Sequence, residues 1–576
     1  MRFRDIDGFR WLSWRSALVG LMACAASLTA NVSALASTKV QGAQEPPVQE
    51  TTCYGCHTPI RDLHQGSKHA AVNCVQCHTG VADHLTDIKK RPGTRKDHQA
   101  CGTCHRAQYE SFFSMNWDKK AREEKALYKS KSPNPSWDLI MMPHGFTREH
   151  AMQRSHAFML IDHLLVDRAY GGRFQYKDGW RGFALHGDLK AWDVLKEVYT
   201  EDAHKPFMHG TGAFANPVCL NCKTQDHILD WAFMGDPVPG AKWSRTSKVY
   251  EFVKDLNHPL NCYACHDPHN TKPRIVRDAL IQALTRPEAD TLWHKDPNRT
   301  KIVVKDFGLR GFTRKVAYLE KPDSVLMCAQ CHVEYNCNPG IDPVDGKPIG
   351  MADQRTNHFP FKSVWDNNAH YDSIRFRDFR HGITGALLWK AQHPEAETFY
   401  NSKHHKAGVG CADCHMPKVK DNAGKVYTSH WQTNPKNYIK ETCLSCHTDW
   451  SEKQAIYVIE STANMLKGKA RKAEFWLTQL INKFIEARAV GVDEAVLKEA
   501  REKHWHAHTH YEWWTAETSA GFHNIDQAKE SLNTSMIRSM EGIMILEDAI
   551  KAKRGTDTTF NTPVRLKHFI GVEPVK

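Results

Sequence analysis

After Ala36 the sequence has no apolar run that could cross a bilayer, and it has almost no cysteine to spare. A spanning helix needs about 20 apolar residues, so we expect the mature chain to be soluble. Sixteen of the 18 cysteines fall in eight C-x-x-C motifs, which leaves Cys24 and Cys337. A disulfide framework is therefore excluded. Only 41% of the 576 residues are hydrophobic, so we expect cofactors to supply part of the apolar core.

Seven of the motifs are followed directly by histidine, the pattern of haem c attachment, in which two thiols bind the haem covalently and the histidine binds its iron. The eighth motif, Cys219 and Cys222, is followed by Lys223 instead. The sequence therefore predicts eight covalently bound haems c, seven of them electron carriers and one a reaction centre. The histidine motifs are Cys53, Cys56, His57; Cys74, Cys77, His78; Cys101, Cys104, His105; Cys262, Cys265, His266; Cys328, Cys331, His332; Cys411, Cys414, His415; and Cys443, Cys446, His447.

The formal net charge of +12 does not indicate a nucleic-acid partner. Each haem carries two propionates with a pKa near 4, so eight haems add roughly sixteen negative charges at neutral pH. We therefore expect many lysines and arginines to pair with propionates.

Residues 1–36 have the features of a secretory signal peptide. A basic segment precedes an apolar run over 17–30, and Ala34-Leu35-Ala36 forms an A-x-A cleavage site. The segment before Cys24 faintly resembles a lipoprotein box, but the apolar run continues beyond it. Haem c is attached outside the cytoplasm in bacteria, so the predicted location is the periplasm.

Motif spacing predicts three parts in the rest of the chain. Residues 37–136 hold three closely spaced motifs and are expected to form a trihaem domain, and residues 137–450 a pentahaem catalytic domain. Apolar residues at helical spacing predict C-terminal helices within 451–576, which pack on the haem core or form an oligomer interface. The predicted fold is mainly α, a loop-rich multihaem cytochrome c fold with long C-terminal helices.

Lys223 marks the expected substrate site. A carrier haem needs ligands on both faces, whereas a reactive haem needs one open face. A lysine amine binds iron only when deprotonated, a state that burial favours. The alternative is a Lys223 haem with a distal histidine, altered only in reduction potential.

A C-x-x-C-K motif accompanied by C-x-x-C-H motifs resembles the ammonia-forming cytochrome c nitrite reductases. Residues 328–335 (CAQCHVEY), 390–395 (KAQHPE) and the stretch from Arg154 past Asp162 are similar to segments of that family, as is 521–524 (GFHN). The resemblance covers about 145–535 and leaves out the first three motifs. The extra N-terminal part and Cys337 are similar to the octahaem branch of the family.

The resemblance implies that nitrite is reduced to ammonia by six electrons at the Lys223 haem, with hydroxylamine and sulfite as further substrates. Arg168 would supply fixed positive charge, His393 would donate hydrogen bonds and protons, and Tyr335 would donate or relay a proton. Alternatives are a propionate pair for Arg168, with Arg173 as its competitor, and distal haem ligation by His393.

The resemblance also implies a calcium site and a cross-link. Glu334 and Gln392 would give side-chain oxygens, and Tyr335 and Lys390 backbone carbonyls, a set that suits Ca²⁺; the alternative is a Glu–Lys ion pair. In the octahaem branch a thioether bond joins the equivalents of Cys337 and Tyr335, which would lower the phenol pKa. The alternative is that Cys337 is only a buried small side chain.

Distal iron ligands must come from histidines outside the motifs. His156, His258, His404 and His430 match family positions, and His69 and His98 are selected for the N-terminal haems from a group that also contains His64 and His84. The run His504, His506, His508, His510 suggests a metal site, but its members lie on different helix faces. Packing is therefore favoured there over an added metal.

The expected partners are nitrite and other small nitrogen oxyanions, a periplasmic cytochrome or quinol dehydrogenase as electron donor, and further copies of the chain in a hexamer or dimer. The rival enzyme classes are octahaem tetrathionate reductase and hydroxylamine oxidoreductase. A pure electron-transfer wire is the third class, and it requires eight six-coordinate irons.

Overall fold

The computed structural model describes residues 45–96, 98–114, 135–141, 156, 166–167, 174–175, 216–224, 226–252, 255–256, 258, 260, 262–308 and 310–555. The predicted signal peptide, Cys24, Arg154, Asp162, Arg168, Arg173 and the side chain of His98 lie outside the described residues. The chain divides into two compact units, 1–61 with 70–95 and 62–69 with 96–576. The first two haem motifs fall in the first unit and the other six in the second. The domain boundary at 136 stays a prediction.

Most regular structure is α-helical, and most helices before residue 451 are short. The helices are α1 Glu50–Tyr54, α2 Thr58–His64, α3 Val81–Thr86, α4 His98–Gly102, α5 Arg106–Tyr109, α6 Pro135–Ile140, α7 Pro217–Leu220, α8 Val249–Phe252, α9 Asp278–Leu284, α10 Leu292–Lys295, α11 Ser324–Cys328, α12 Val364–Ser373, α13 Glu395–Phe399, α14 Lys403–Lys406, α15 Cys411–His415, α16 Glu452–Ala489, α17 Glu494–Ala516 and α18 Ile525–Arg554.

The strands are short and pair antiparallel. They are β1 His78–Thr79 with β2 Gly93–Thr94, β3 Val166–Asp167 with β4 Phe174–Gln175, β8 Gly340–Ile341 with β9 Pro348–Ile349, β10 Phe379–Arg380 with β11 Leu387–Leu388, β12 Lys418–Lys420 with β13 Val426–Thr428, and a three-stranded sheet in the order β5 Arg274–Ile275, β7 Arg314–Leu319, β6 Ile302–Phe307. The predicted mainly α, loop-rich fold is confirmed.

The long C-terminal helices are also confirmed, and local chemistry explains where they begin. Ser451 and Gln454 form a reciprocal capping box at the start of α16. Gly491, at φ 74°, ends the turn after α16. Asp493 is the N-cap residue of α17, but its side chain makes no capping bond and instead pairs with Lys553 at 2.9 Å.

The core of the second unit joins these helices to the segment before His393. Leu466, Ala473 and Leu477 of α16 pack in one cluster with Trp389 and Trp513. Met465, next to Leu466 in the chain, is 39% exposed, because it lies one position, about 100°, around the helix from Leu466. The core thus holds the 387–393 segment against α17.

None of the helices in the described part of the chain combines the length and apolar character that a bilayer crossing requires. Among the same residues, no group of three or more His, Cys, Asp and Glu side chains is arranged to hold a metal ion. His504, His508 and His510 of α17 are buried and in ring contact with their neighbours, as the packing interpretation requires.

Candidate active site

The Lys223 motif begins in α7, a helix of four residues. Asn216 caps α7 by accepting from the N–H groups of Val218 and Cys219 at 2.9 and 3.2 Å, and Pro217 fills the first helical position. Cys219 and Cys222 are both buried, at 8% and 1% exposure. The Lys223 N–H donates to the Leu220 carbonyl at 2.8 Å. The turn therefore puts both sulfurs and the lysine at one end of α7.

The histidine motifs use a similar turn. In five of them the histidine N–H donates to the carbonyl of the first cysteine at 2.8–3.0 Å: His57, His105, His266, His332 and His447. A turn of this kind brings two sulfurs and one imidazole together, as covalent haem attachment requires. These residues therefore fit haem c.

Six motif histidines face a second imidazole. Metal–imidazole bonds are about 2 Å long, so two rings that share one iron have centres roughly 6 Å apart. The pairs in the second unit are His105–His69 at 6.1 Å, His266–His430 at 6.4 Å, His332–His156 at 5.9 Å, His447–His404 at 6.4 Å and His415–His523 at 6.4 Å; in the first unit, His57–His84 at 6.2 Å. Each gap fits an iron.

The predicted distal residues His69, His156, His404 and His430 all occur in these pairs. His84 was among the candidates for the N-terminal haems, and His523, in the G-F-H-N segment, was not predicted as a ligand. His258 has no such ring contact among the described residues. Its Nδ1 lies 2.9 Å from Asp226 Oδ1, an arrangement that leaves Nε2 available and orients a metal-binding histidine. Its ligation stays a prediction.

In several of the second imidazoles, as in His258, Nδ1 is held by a hydrogen bond to an oxygen atom. The Nδ1 atoms of His69, His84 and His430 donate to the backbone carbonyls of Pro268, Lys90 and Thr428 at 2.8–2.9 Å. His156 Nδ1 donates to the Gln432 side-chain oxygen at 3.2 Å. Because Nδ1 keeps the proton, Nε2 is the nitrogen that can bind a metal.

Sulfurs of different motifs also approach each other. Cys222 lies within hydrogen-bonding reach of Cys331, Cys328 of Cys411, and Cys101 of Cys262. The motif that ends at His332 therefore adjoins both the Lys223 motif and the motif that ends at His415. At each of these sulfur pairs, the haem edges that are bound to the cysteines would lie next to each other.

Tyr335, His393 and Cys337 are brought together beside the Lys223 motif. The Tyr335 and His393 rings are 6.3 Å apart and 28° from parallel. The Cys337 sulfur lies 2.8 Å from the Cys219 sulfur, and Tyr335 and Cys337 are 4% and 3% exposed. Buried Tyr335 and Cys337 and half-buried His393 thus lie in one region. Arg168, the fourth, lies outside the described residues.

Burial controls the ionisation of this region. Burial lowers the pKa of His393 to about 3, assisted by the positive charges of Lys223 and Lys390 and opposed by Glu395. His393 is therefore a neutral imidazole near pH 7, able to donate one N–H. Burial also raises the pKa of the Tyr335 phenol well above its usual value, so the phenol keeps its proton for donation.

The predicted calcium residues surround a group of buried carboxylates. The Glu334 carboxylate accepts from the Gln392 N–H at 2.7 Å and from the Tyr371 hydroxyl at 3.1 Å. The Lys390 N–H donates to Asp378 at 2.7 Å, and the Glu334 N–H donates to Glu397 at 3.0 Å. Glu334, Lys390 and Gln392 are thus brought together, with Asp378 and Glu397 as neighbours that the sequence did not reveal.

Lys390, itself buried, supplies positive charge to Glu334 and Asp378, but one lysine faces three buried carboxyl groups. Burial raises the pKa of Glu334 and Glu397 well above the usual value and that of Asp378 to about 7. One oxygen each of Asp378 and Glu397 is buried without a hydrogen-bond partner. Buried charges need a partner, and all-oxygen donors suit a hard cation. The residues present therefore fit calcium.

The known proteins that this chain resembles are c-type cytochromes, as the attachment motifs predict. The cytochrome c552 family model matches residues 191–568. The cytochrome c nitrite reductase subunit NrfA of Nitratidesulfovibrio vulgaris is 28% identical over 365 residues, 59% of this chain and 62% of that protein. Cytochrome c-552 of Parabacteroides distasonis is 27% identical over 62% of this chain and 64% of that protein. The match thus spans slightly under two thirds of each relative.

A solved structure is similar in fold. Cytochrome c nitrite reductase from Desulfovibrio desulfuricans, described with two calcium sites in its catalytic subunit, superimposes with a TM-score of 0.53 at 21% identity. The match covers 79% of this chain and 87% of that chain. At this identity the likeness concerns the fold.

Proposed function

Because the chain belongs to the cytochrome c552 family, we propose that it is an octahaem nitrite reductase that forms ammonium at the Lys223 haem. The observation that carries this proposal is the lysine at one of eight otherwise alike motifs, with the Tyr335 and His393 rings stacked 6.3 Å apart in the same buried region. Seven motifs with histidine suit electron carriers, and the exceptional one suits a substrate site.

The attachment cysteines and motif histidines would hold the haems, and the paired second imidazoles would close six of the carrier sites. When bound, the haem at Lys223 supplies an iron that accepts the substrate nitrogen and passes electrons to it. The reaction consumes one nitrite, six electrons and eight protons, and it yields one ammonium and two waters. The protein must therefore deliver both electrons and protons to one buried place.

Proton donors near Lys223 match this demand. The neutral His393 would donate a hydrogen bond through its N–H to a substrate oxygen, and the protonated Tyr335 phenol would donate a proton beside it. Each N–O bond that breaks sends an oxygen off as water, so donors placed at those oxygens lower the barrier. Arg168 would add fixed positive charge that attracts nitrite and stabilises negative charge on its oxygens.

The calcium site would position these donors. Glu334 directly precedes Tyr335, and Gln392 directly precedes His393. The existing bond from the Gln392 N–H to Glu334 already ties the two segments together. A calcium ion on Glu334, Gln392 and the carbonyls of Tyr335 and Lys390 would fix both donors at once. Rigid support of this kind is what an oriented site needs.

The remaining parts of the proposal concern the cellular setting. The chain would be exported to the periplasm and receive electrons from a periplasmic cytochrome or quinol dehydrogenase. Hydroxylamine, as a later reduction level of nitrogen, would also be reduced, and sulfite is a further candidate. We also propose a thioether bond between Tyr335 and Cys337, and assembly of the chain into a hexamer or dimer.

An anaerobic assay with a reduced viologen tests the function. The holoprotein should consume nitrite and form one ammonium for each nitrite, while Lys223→His protein of equal haem content should be much slower. Nitrite left untouched by fully haem-loaded protein would contradict the proposal and would favour the tetrathionate or electron-wire alternatives. A spectrum with no high-spin haem would favour the wire specifically.

A further inference from the structure

Arg277 is a buried arginine with spare hydrogen-bonding capacity. It is the residue before α9 and is 4% exposed. Its Nη1 donates to Asp278 Oδ1 at 2.7 Å, but Nε and Nη2 are buried without an oxygen or nitrogen acceptor among the described residues. A buried guanidinium is costly unless its charge acts on something nearby.

The charge lies beside the sulfurs of two haem motifs. The guanidinium is next to Cys222 and acts on Cys331, the second cysteine of the motif that ends at His332. Gln330 fixes this placement, because its side-chain oxygen accepts from the Arg277 N–H at 3.2 Å and its carbonyl lies 3.9 Å from the Cys222 sulfur.

Two further contacts tie Arg277 to the Lys223 region. In the amide orientation that satisfies its neighbours, the Asn221 oxygen accepts from Nη1 at 3.1 Å. Asn221 lies between the two cysteines of the Lys223 motif. On the other side the guanidinium carbon is 5.1 Å from the centre of the Phe359 ring, and that ring is 5.9 Å from Tyr335.

The neighbouring carboxylate offsets only part of this charge. Asp278 accepts from Arg277 but also from Trp231 Nε1, Asn357 Nδ2 and the Ala279 N–H at 2.8–3.1 Å. Three neutral donors therefore share the stabilisation of that carboxylate. The guanidinium has no comparable set of acceptors. Its positive charge is therefore only partly neutralised and acts on the sulfurs of Cys222 and Cys331.

We propose that Arg277 is a positioning residue whose buried charge, held between the attachment sulfurs of the Lys223 and His332 motifs, raises the reduction potentials of the two haems attached there. Reduction adds an electron, and a fixed positive charge in a low-dielectric interior stabilises the reduced form. Transfer of electrons from the other carrier haems onto this pair would thereby be favoured. The inference rests on the haem placement in the proposed function.

A redox titration of the holoprotein, followed by haem absorbance, tests this inference without substrate. Arg277→Gln should make two of the haem couples harder to reduce by roughly tenfold in equilibrium constant, about 59 mV for one electron. One of the two should be the couple with the high-spin spectrum. Arg277→Lys keeps the charge and should restore the wild-type titration. Haem content per chain must be equal in all samples.

Arg245 offers a matched control. It is 3% exposed, but its guanidinium donates to the carbonyls of Met234, Met351 and Ala352 at 2.7–3.0 Å. Arg245→Gln removes a buried arginine of the same kind and should lower thermal stability without moving the two couples.

The inference would be overturned by unchanged potentials in Arg277→Gln, by equal shifts in Arg277→Gln and Arg277→Lys, or by the same shift in Arg245→Gln. A shift that depends on pH between 5 and 8 would also overturn it, because it would mean that Arg277 merely neutralises a haem propionate. None of these outcomes requires nitrite turnover. Failure of the proposed reaction and failure of this inference are therefore distinguishable.

Discussion

The sulfur atoms of Cys219 and Cys337 lie 2.8 Å apart. The first belongs to the haem attachment motif of Lys223, and the second lies two residues beyond Tyr335. The predicted thioether on Tyr335 would therefore form within reach of the haem attachment point. This proximity connects the cross-link to the same site as the exceptional lysine.

Mass spectrometry of the peptide that contains Tyr335 and Cys337 checks the cross-link. The wild-type peptide should lack two hydrogens, and the Cys337→Ala peptide should show no such loss. Cys337→Ala protein should keep its haems but reduce nitrite about tenfold more slowly near neutral pH, since the phenol loses the pKa-lowering sulfur substituent. A wild-type peptide with its full hydrogen content would refute the cross-link.

Replacing Lys223 with histidine converts the eighth motif into an ordinary one. Lys223→His protein should bind all its haems, because both cysteines remain. Nitrite reduction should fall by roughly 10–100-fold, since the residue at position 223 would tune how readily the haem held there donates electrons. Haem content and steady-state rates check this. An unchanged rate would show that Lys223 is dispensable and would favour another haem as the site.

Removal of the two donors should affect turnover more than folding. Tyr335→Phe and His393→Asn should each lower kcat by about 10²–10³, the loss typical of a missing proton or hydrogen-bond donor. Tyr400→Phe is the control, since Tyr400 is a buried tyrosine at 2% exposure that packs on Phe361 and His405. Similar losses in all three variants would indicate a general packing effect.

Calcium removal should destabilise the protein through Glu334. Treatment of the wild type with a calcium chelator should lower the thermal midpoint by a few degrees, because a bound ligand at 100-fold its Kd contributes about 2.7 kcal/mol. Glu334→Gln protein should start lower and no longer respond to chelator. Glu502→Gln, at an exposed position, should respond like the wild type. A response retained in Glu334→Gln would place the calcium elsewhere.

Acid should weaken the packing around His381. Its Nδ1 accepts from the N–H groups of Ile383 and Thr384 at 3.1–3.2 Å, and Nε2 donates to the Leu139 carbonyl at 2.8 Å. Burial lowers the pKa of His381 to about 3. The unfolded chain, with a pKa near 6.5, therefore binds the proton first, and stability is lost as pH falls below about 6.5.

The change from pH 6.5 to 5 should cost about 2 kcal/mol from this one residue. The His504 ring packs against His381, and His508 and Arg488 add positive potential there. His381→Gln should make the thermal midpoint less sensitive to pH over this range, whereas His506→Gln, on the partly exposed side of α17, should not. Equal pH sensitivity in wild type and His381→Gln would contradict the assignment.

The sequence predicted the parts of this molecule that local chemistry determines. Attachment motifs are contiguous, so spacing alone predicts the haem sites, and apolar residues at helical spacing predicted the long C-terminal helices. Ser451 and Gly491 set helix boundaries through short-range hydrogen bonds and backbone conformation. These features need no knowledge of the fold.

Long-range placement was harder to predict. His523 pairs with His415 across more than a hundred residues, and no local pattern separates it from other histidines outside the motifs. Asp378 and Glu397 join Glu334 only because the chain folds back twice, and Arg277 meets Cys222 in the same way. The resemblance to a family located Tyr335 and His393, but it did not reveal the carboxylates and the guanidinium around them.

In the proposed reaction, nitrite receives six electrons at the Lys223 haem without release of intermediates. The direct measurement is an anaerobic titration in which a known amount of nitrite oxidises excess reduced viologen in the presence of the holoprotein, with ammonium measured in the same sample. Six oxidised viologens and one ammonium for each nitrite would agree with the account. Fewer electrons per nitrite, with nitric oxide or hydroxylamine left in solution, would contradict it.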